Sequence, residues 1–217
     1  MSDSESNPIS LPAGSVSAAP IRKRPKPGER RIQILQTLAS MLEQPGAERI
    51  TTAALAARLG VSEAALYRHF ASKAQMFEGL IDFIEQTVFS LINQIVERQK
   101  ASLDSEGRQP QLIVTMLMQF AEKNPGMTRV MVGDALVFEN ERLQQRMNQF
   151  FDKIEATLKQ CLRDAAQNSG SNTPTVDSQV GASVLTAFVA GRLQRFARSG
   201  FKRLPSEHLE QSLLLLC

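Results

Sequence analysis

One glycine separates two short apolar patterns near the N-terminal end of the chain. Residues 51–70 read TTAALAARLGVSEAALYRHF, and Gly60 lies between two segments whose apolar residues recur at helical spacing. Glycine adopts the left-handed conformation of many helix ends at little cost, so Gly60 is predicted to end the first helix. Thr52 is predicted to cap that helix, and Ser62 the next one. The pattern predicts a helix-turn-helix, whose second helix would be presented to the major groove of DNA.

The second helix of this motif has an apolar face and a polar face. Leu66 and Phe70 are four residues apart, so both are predicted to point inward. The three residues between Leu66 and Phe70 are then turned outward. The two alanines that precede Leu66 allow the backbone to approach DNA closely. The residues that we expect at the DNA from this helix are Ala64, Ala65, Tyr67, Arg68 and His69.

Each polar side chain of this region has a contact that suits its chemistry. Tyr67 can meet phosphate through its hydroxyl or a thymine methyl through its ring, and Arg68 can donate to phosphate or bidentately to guanine. His69 suits a phosphate contact, and we also expect Thr52 and Ser62, at the two helix starts, to contact DNA. Glu63 either accepts from a cytosine amino group or only favours the helix N-terminus. Lys73 places a positive charge at the start of the following long helix, where phosphate commonly docks.

The basic residues are unevenly distributed. The net charge is only +3, yet residues 1–73 contain ten Lys or Arg against six Asp or Glu, whereas residues 74–217 contain fifteen against sixteen. Residues 1–20 are rich in Ser, Pro and Ala, and residues 21–31 (IRKRPKPGERR) contain six basic residues. We therefore expect residues 1–28 to form a disordered basic arm, which either lies along nucleic-acid phosphate or is a solvated tail.

The rest of the chain has the apolar periodicity of helices, and no strand-like alternation is found. From Glu29 the apolar residues repeat every three or four positions, and Pro45 and Gly46 are predicted to stop that helix. The seam at residues 141–162 predicts packing against another helix, from the same chain or a second subunit. The wide apolar band at residues 177–198 predicts burial on more than one side. An all-α protein is predicted.

No pattern typical of an enzyme is found. The only histidines, His69 and His208, and the two cysteines have no metal-ligand spacing, and no P-loop, GxGxxG motif or nucleophile elbow occurs. The acidic pair Glu139 and Glu141 is interpreted as helix-start charge. No apolar run approaches the roughly 20 residues that span a bilayer, and the N-terminus has no apolar signal region. We expect no enzymatic activity, no cofactor or metal, no membrane association and a cytoplasmic location.

Residues 50–80 (ITTAALAARLGVSEAALYRHFASKAQMFEGL) resemble the DNA-binding region of the TetR family, most specifically in LYRHFASK and the following MF. The resemblance implies a TetR-like fold: a three-helix DNA-binding module, a long fourth helix, and a helical C-terminal domain that dimerises through a four-helix bundle. We accordingly expect a DNA-binding domain at residues 29–75 and a dimerisation and partner-binding domain at residues 76–217.

The C-terminal half narrows this resemblance. Residues 123–163 (KNPGMTRVMVGDALVFENERLQQRMNQFFDKIEATLKQCLR) resemble the nucleoid occlusion factors of the family. The resemblance implies a homodimer, with one or several dimers per site, that binds double-stranded chromosomal DNA and inhibits assembly of the division protein FtsZ over the nucleoid. The alternative is a repressor released by a small molecule, with Met116, Met118, Met127 and Met131 lining an adaptable pocket.

A partner-binding surface is predicted between the long helix and the helix that follows it. Phe83 lies at the edge of the long helix's apolar stripe. Pro125 ends the next helix, with Asn124 as its cap and Lys123 as a positive charge at its C-terminus. A groove there suits a short peptide with apolar anchors and an acidic residue, such as the C-terminal tail of FtsZ. Alternatively, Phe83 is core and Lys123 is only a favourable end charge.

Overall fold

The computed structural model describes residues 28–44, 50–100 and 107–216, which form α-helices and one short 3-10 helix without any strand. The all-α prediction is therefore confirmed for these residues. The predicted arm, apart from Gly28, and the predicted helix stop at Pro45 and Gly46 lie outside them. The helices are α1 (Glu29–Leu42), α2 (Thr52–Leu59), α3 (Glu63–Tyr67), α4 (Lys73–Lys100), α5 (Gln109–Lys123), α6 (Pro125–Met131), the 3-10 helix (Asp134–Leu136), α7 (Glu141–Asn168), α8 (Pro174–Arg198) and α9 (Leu209–Leu216).

The turn between α2 and α3 follows the local sequence closely. Gly60 ends α2 with φ 65° and ψ 37°, in the left-handed region that favours glycine. The Ser62 side chain caps α3 by accepting from the Ala65 N–H at 3.3 Å, as predicted. The predicted cap of α2 is wrong by one residue, because Thr51, not Thr52, accepts from the Ala54 N–H. Thr52 is instead the first helical residue, which leaves its hydroxyl for another partner.

One apolar core extends from α1 to α9 and joins the N-terminal module to the C-terminal helices. Helix α4 leaves the module and packs against α5 and α7, while α1 packs against α6. The α1–α6 contact is unusually close: a Cβ on Gly126 would lie 1.9 Å from the Ala39 carbonyl oxygen. Only glycine allows α6 to approach the α1 backbone to this distance.

Helices α7 and α8 form the most extensive helix pair of the described residues. The predicted seam of α7 is buried by the chain itself, so a second subunit is not what covers it. This outcome settles the origin of the facing helices, which the three- and four-residue spacing left open. The buried seam consists of Leu143, Met147, Phe150, Ile154, Leu158 and Cys161.

Within the single chain, helix α8 is buried on one face only, so burial of a second side, as the sequence predicts, would need a partner. Leu185, Val189 and Leu193 are buried against the core. The opposite face carries Val176, Val180 and Val184 at four-residue intervals. These valines are 61%, 58% and 42% exposed. The wide apolar band is therefore a buried stripe beside an uncovered one.

Candidate nucleic-acid interface

The polar row, residues 67–69, lies on the surface. Its side chains point away from the buried Leu66 and Phe70, which anchor the segment to the core. Leu66 and Phe70 are each 1% exposed, whereas Tyr67, Arg68 and His69 are exposed, as the four-residue spacing predicted. Phe70 lies beyond the end of α3 at Tyr67, but its N–H still donates to the Leu66 carbonyl at 3.1 Å. This extra turn keeps the two anchors on one side and the polar row on the other.

A basic residue of α1 fixes the end of this row. The Arg31 guanidinium donates to the His69 carbonyl at 3.1 Å and lies 4.2 Å from the centre of the Phe70 ring. The contact combines a hydrogen bond with a cation–π interaction. Sequence reasoning grouped Arg31 with the basic arm and missed this role, because the contact joins residues 38 positions apart.

The small residues of α3 lie beside the polar row. Ala64 is exposed and Ala65 is half-buried, so no large side chain projects from these two positions near the start of α3. The Ser62 hydroxyl is engaged as the cap, which agrees with its predicted structural role and leaves its contact with DNA a prediction. This end of α3 therefore offers a surface on which the backbone can approach a ligand closely.

Three side chains of α2 and α3 form a chain of hydrogen bonds on the surface. The Thr52 hydroxyl donates to Glu63 Oε2 at 2.5 Å, and the Tyr67 hydroxyl donates to Thr52 Oγ1 at 3.4 Å. Thr52 thus ties the first residue of α2 to the first residue of α3. The sequence pattern assigned these residues to DNA separately and gave no sign that they contact one another.

Lys73 is placed differently from its prediction as a free phosphate contact. Its ammonium forms an ion pair with Glu139 Oε1 at 2.5 Å and lies 5.8 Å from the centre of the Phe77 ring. A phosphate at this position would have to compete with Glu139. Glu139 precedes α7 and binds Lys73, so its interpretation as mere helix-start charge was wrong.

The Lys73–Glu139 pair, which lies just before the start of α7, is followed by several ion pairs between α4 and α7. Further along the helices, Arg146 contacts Asp82 at 2.8 Å and Glu85 at 3.1 Å. The pKa of the Glu85 carboxyl is held below its ordinary value of 4.5, mainly by a hydrogen bond from Lys153. Burial raises this pKa, but Lys153 and Arg146 together outweigh that effect. The pairs of this α4–α7 interface are Glu78–Arg142, Asp82–Arg146, Glu85–Arg146 and Glu85–Lys153.

Comparison with known proteins supplies the family of this fold and interface. A family model described as "Bacterial regulatory proteins, tetR family" matches residues 34–80. A second, SlmA-like model, described as "Tetracyclin repressor-like, C-terminal domain", matches residues 108–217. The chain belongs to the TetR family.

Relatives within the TetR family match almost the whole chain. "Nucleoid occlusion factor SlmA" of Vibrio vulnificus strain YJ016 is 51% identical over 192 residues, covering 88% of this chain and 95% of the relative. The protein of the same name from Aliivibrio fischeri strain MJ11 is 50% identical over 193 residues, covering 88% and 96%. These relatives and the family are DNA-binding regulators, which confirms the prediction that the chain is not an enzyme.

Solved TetR-family structures share the fold at low sequence identity. The transcriptional regulator FadR from Bacillus subtilis, solved in complex with stearoyl-CoA, superposes with a TM-score of 0.68 at 15% identity. The match covers 85% of this chain and 96% of that chain. At this identity the likeness shows the fold alone, and it confirms the predicted TetR-like architecture.

The predicted partner surface lies at the C-terminal end of α5 in this TetR-family fold. Asn124 follows α5 and its Nδ2 donates to the Phe120 carbonyl at 2.8 Å, so it is a cap as predicted. Lys123 is exposed, and Phe83 is half-buried against the core. Helices α4 and α5, which carry Phe83 and Lys123, pack against each other.

The described residues contain neither a metal-binding cluster nor a membrane-spanning helix. Within them, no group of three or more His, Cys, Asp or Glu side chains could hold a metal ion. Of the helices described, none combines the length and apolar character that crossing a membrane requires.

Proposed function

We propose that this chain is a nucleoid occlusion factor: a homodimer that binds specific chromosomal sites and inhibits assembly of FtsZ over the nucleoid. The observation that carries the proposal is the identity of about half of the aligned residues to relatives named nucleoid occlusion factor SlmA, across nearly their full length. In this proposal residues 29–75 hold DNA, residues 76–217 dimerise and bind the partner, and the protein works on the nucleoid in the cytoplasm.

The proposed DNA interface is the exposed surface around α3. Arg68 and His69 extend from the end of this helix, and Glu63, Thr52 and Tyr67 form the hydrogen-bonded chain at its start. Lys73 contributes once a phosphate displaces Glu139. The residues of the proposed interface are Thr52, Ser62, Glu63, Ala64, Ala65, Tyr67, Arg68, His69 and Lys73.

The uncovered apolar stripe of α8 supports the homodimer. Val176, Val180 and Val184 present one continuous face, and burying such a stripe removes apolar surface from water. A second copy packing there would form a four-helix arrangement of two α7–α8 pairs. Two recognition helices would then read half-sites about 34 Å apart, so we expect a palindromic site.

The proposed FtsZ surface consists of Phe83, Lys123 and Asn124. Phe83 is only partly buried, and Lys123 is exposed. Together they offer an apolar contact and a positive charge to a peptide such as the C-terminal tail of FtsZ. Asn124 is next to Lys123 and caps α5.

The test combines FtsZ assembly and DNA binding in one set of variants. With the preferred duplex present, we expect the wild-type chain to reduce sedimentation of FtsZ polymers. Lys123→Glu and Phe83→Ala should lose this inhibition and keep the duplex affinity. Lys202→Glu, a charge reversal at another exposed lysine, should keep both. Unchanged affinity of both groove variants for an FtsZ tail peptide would show that the surface is misplaced.

The inducible repressor remains the competing outcome of this test. The methionines that sequence reasoning assigned to a pocket belong largely to the core, since Met118, Met127 and Met131 are each exposed by 8% or less. Loss of duplex binding on adding a small molecule, without any effect of the chain on FtsZ, would favour the repressor.

A further inference from the structure

We infer that Glu63, Thr52 and Tyr67 act as one unit that reads a base amino group in the major groove, and that Thr52 is a positioning residue for the Glu63 carboxylate. The inference rests on the proposed DNA binding and makes it specific. It assigns to the hydrogen-bonded chain a preference for cytosine or adenine at one base pair of each half-site.

The direction of the hydrogen bonds follows from the chemistry of the three groups. An ionised carboxylate only accepts, so at 2.5 Å the hydrogen between Thr52 and Glu63 belongs to the threonine hydroxyl. Thr52 has only one hydroxyl hydrogen, and the bond to Glu63 uses it. The 3.4 Å contact between Tyr67 and Thr52 must therefore be donated by the tyrosine hydroxyl. This contact is long for an O–H···O bond, so Tyr67 is held more weakly than Glu63.

Once both hydroxyl hydrogens point into the chain, the unit has only acceptors left to offer. Glu63 keeps its second carboxylate oxygen, and Tyr67 keeps the lone pairs of its oxygen. The predicted donation from Tyr67 to a phosphate is thus incompatible with this arrangement. A carboxylate is also repelled by phosphate, so the unit suits a base edge and not the DNA backbone.

Base edges in the major groove differ in the donors that they offer. Cytosine presents its N4 amino group and adenine its N6 amino group, whereas guanine presents two acceptors and thymine an acceptor and a methyl group. An acceptor-only unit therefore favours cytosine or adenine and opposes guanine or thymine. The exposed position of Glu63 and Tyr67 on the outer surface of α3 makes both available to a groove.

Thr52 contributes by holding the carboxylate before DNA arrives. A Glu side chain on an exposed helix start is otherwise free to rotate, and fixing it in advance reduces the entropy lost on binding. Because Thr52 belongs to α2, the orientation of Glu63 depends on the angle between the two helices of the motif. The relevant change is Thr52→Val, which removes the hydroxyl and keeps the side-chain shape.

The experiment first selects preferred duplexes from a random pool with the wild-type chain, Glu63→Gln and Thr52→Val. Glutamine offers both a donor and an acceptor, so we expect Glu63→Gln to tolerate guanine or thymine at one symmetric base pair. The discrimination there should fall by roughly fivefold to a hundredfold. Thr52→Val should relax the same base pair by less, and Tyr67→Phe by least. Glu210→Gln, the same change at an exposed residue of α9, should leave the preference unaltered.

A second measurement uses altered DNA. At the identified position, cytosine is replaced by 2-pyrimidinone, or adenine by purine, because each lacks the amino group. The wild-type chain should lose affinity when the amino group is removed. Glu63→Gln has already lost this contact, so its affinity should fall little further. If wild type selects a sequence but both variants select the same one, the inference is overturned and the proposed function stands. If wild type selects no sequence at all, the proposed function fails as well.

Discussion

The surface around α3 and the α4–α7 interface are both rich in charge, but they use it in opposite ways. At the α4–α7 interface, Arg146 and Lys153 are paired with carboxylates of α4. Within the described ranges, Arg68 forms no ion pair with any carboxylate. Charges satisfied inside the chain hold its parts together, whereas charges left without a partner are available to a ligand. Neighbouring positions in the sequence do not distinguish the two cases.

Replacing one arginine in each region with alanine tests this contrast most strongly. Arg68→Ala should weaken binding to the preferred duplex by about 1–3 kcal/mol if Arg68 contacts a base. Arg146→Ala should leave that affinity unchanged and lower the free energy of unfolding by about 1 kcal/mol. Fluorescence anisotropy and urea unfolding measure the two quantities. Equal losses of duplex affinity in both variants would remove the distinction between the regions.

The valine stripe of α8 is the apolar counterpart of the unpaired charges around α3. Val180→Glu should weaken dimerisation by about 2 kcal/mol, because it places a charge in the centre of the proposed contact. Sedimentation velocity over a range of concentrations measures the change. Val137→Glu alters a valine that is equally exposed, at 64%, but lies outside α8. A dimer that survives the first change as well as the second would place the contact elsewhere.

Acid should weaken the α4–α7 interface selectively. The pKa of Glu85 is lowered in the folded chain, so its contribution to stability is complete above about pH 4.5 and is lost as the pH falls through the folded value. Glu85→Gln should therefore cost about 1 kcal/mol of unfolding free energy at pH 7. The difference from wild type should shrink below pH 4.5 in urea titrations. A difference that stays constant down to pH 3 would contradict the pairing.

Lys73 lies between the two regions, and it should give the smallest effect. Glu139→Gln frees Lys73 for phosphate, so we expect a modest gain in duplex affinity and a salt slope steeper by at most about one. Glu141→Gln removes the same charge two residues away, and Glu141 is exposed at the start of α7. A salt slope that changes equally in both variants would leave Lys73 with no separate role.

The parts of the molecule that the sequence predicted well are those that depend on near neighbours. Gly60, Ser62 and the Leu66–Phe70 pair act within a few residues, so the turn, the cap of α3 and the exposed row could all be predicted. The apolar spacing likewise predicted α8 to within a few residues, whereas α7 continues beyond the predicted 141–162 to Asn168. The short helices α6 and α9 were not predicted; Pro125, which was interpreted only as the end of α5, is also the first residue of α6.

What the sequence could not predict depends on contacts between distant positions. Lys73 meets Glu139 across 66 residues, and Arg31 meets His69 across 38. Spacing also cannot tell which side of an apolar helix the same chain covers, so the seam of α7 and the stripe of α8 looked alike. The hydrogen-bonded chain through Thr52 was missed for a local reason, since a shift of one residue in the cap changed the role of its hydroxyl.

The glycine contact between α1 and α6 has a mechanical consequence. At Gly126 the backbone of α6 rests against the Ala39 carbonyl without a side chain between them. Side chains can absorb small displacements by changing rotamer, but two backbones in direct contact cannot. We therefore expect a displacement of α6, which directly follows Lys123 and Asn124, to move α1 as well, and α1 carries the Arg31 that contacts His69.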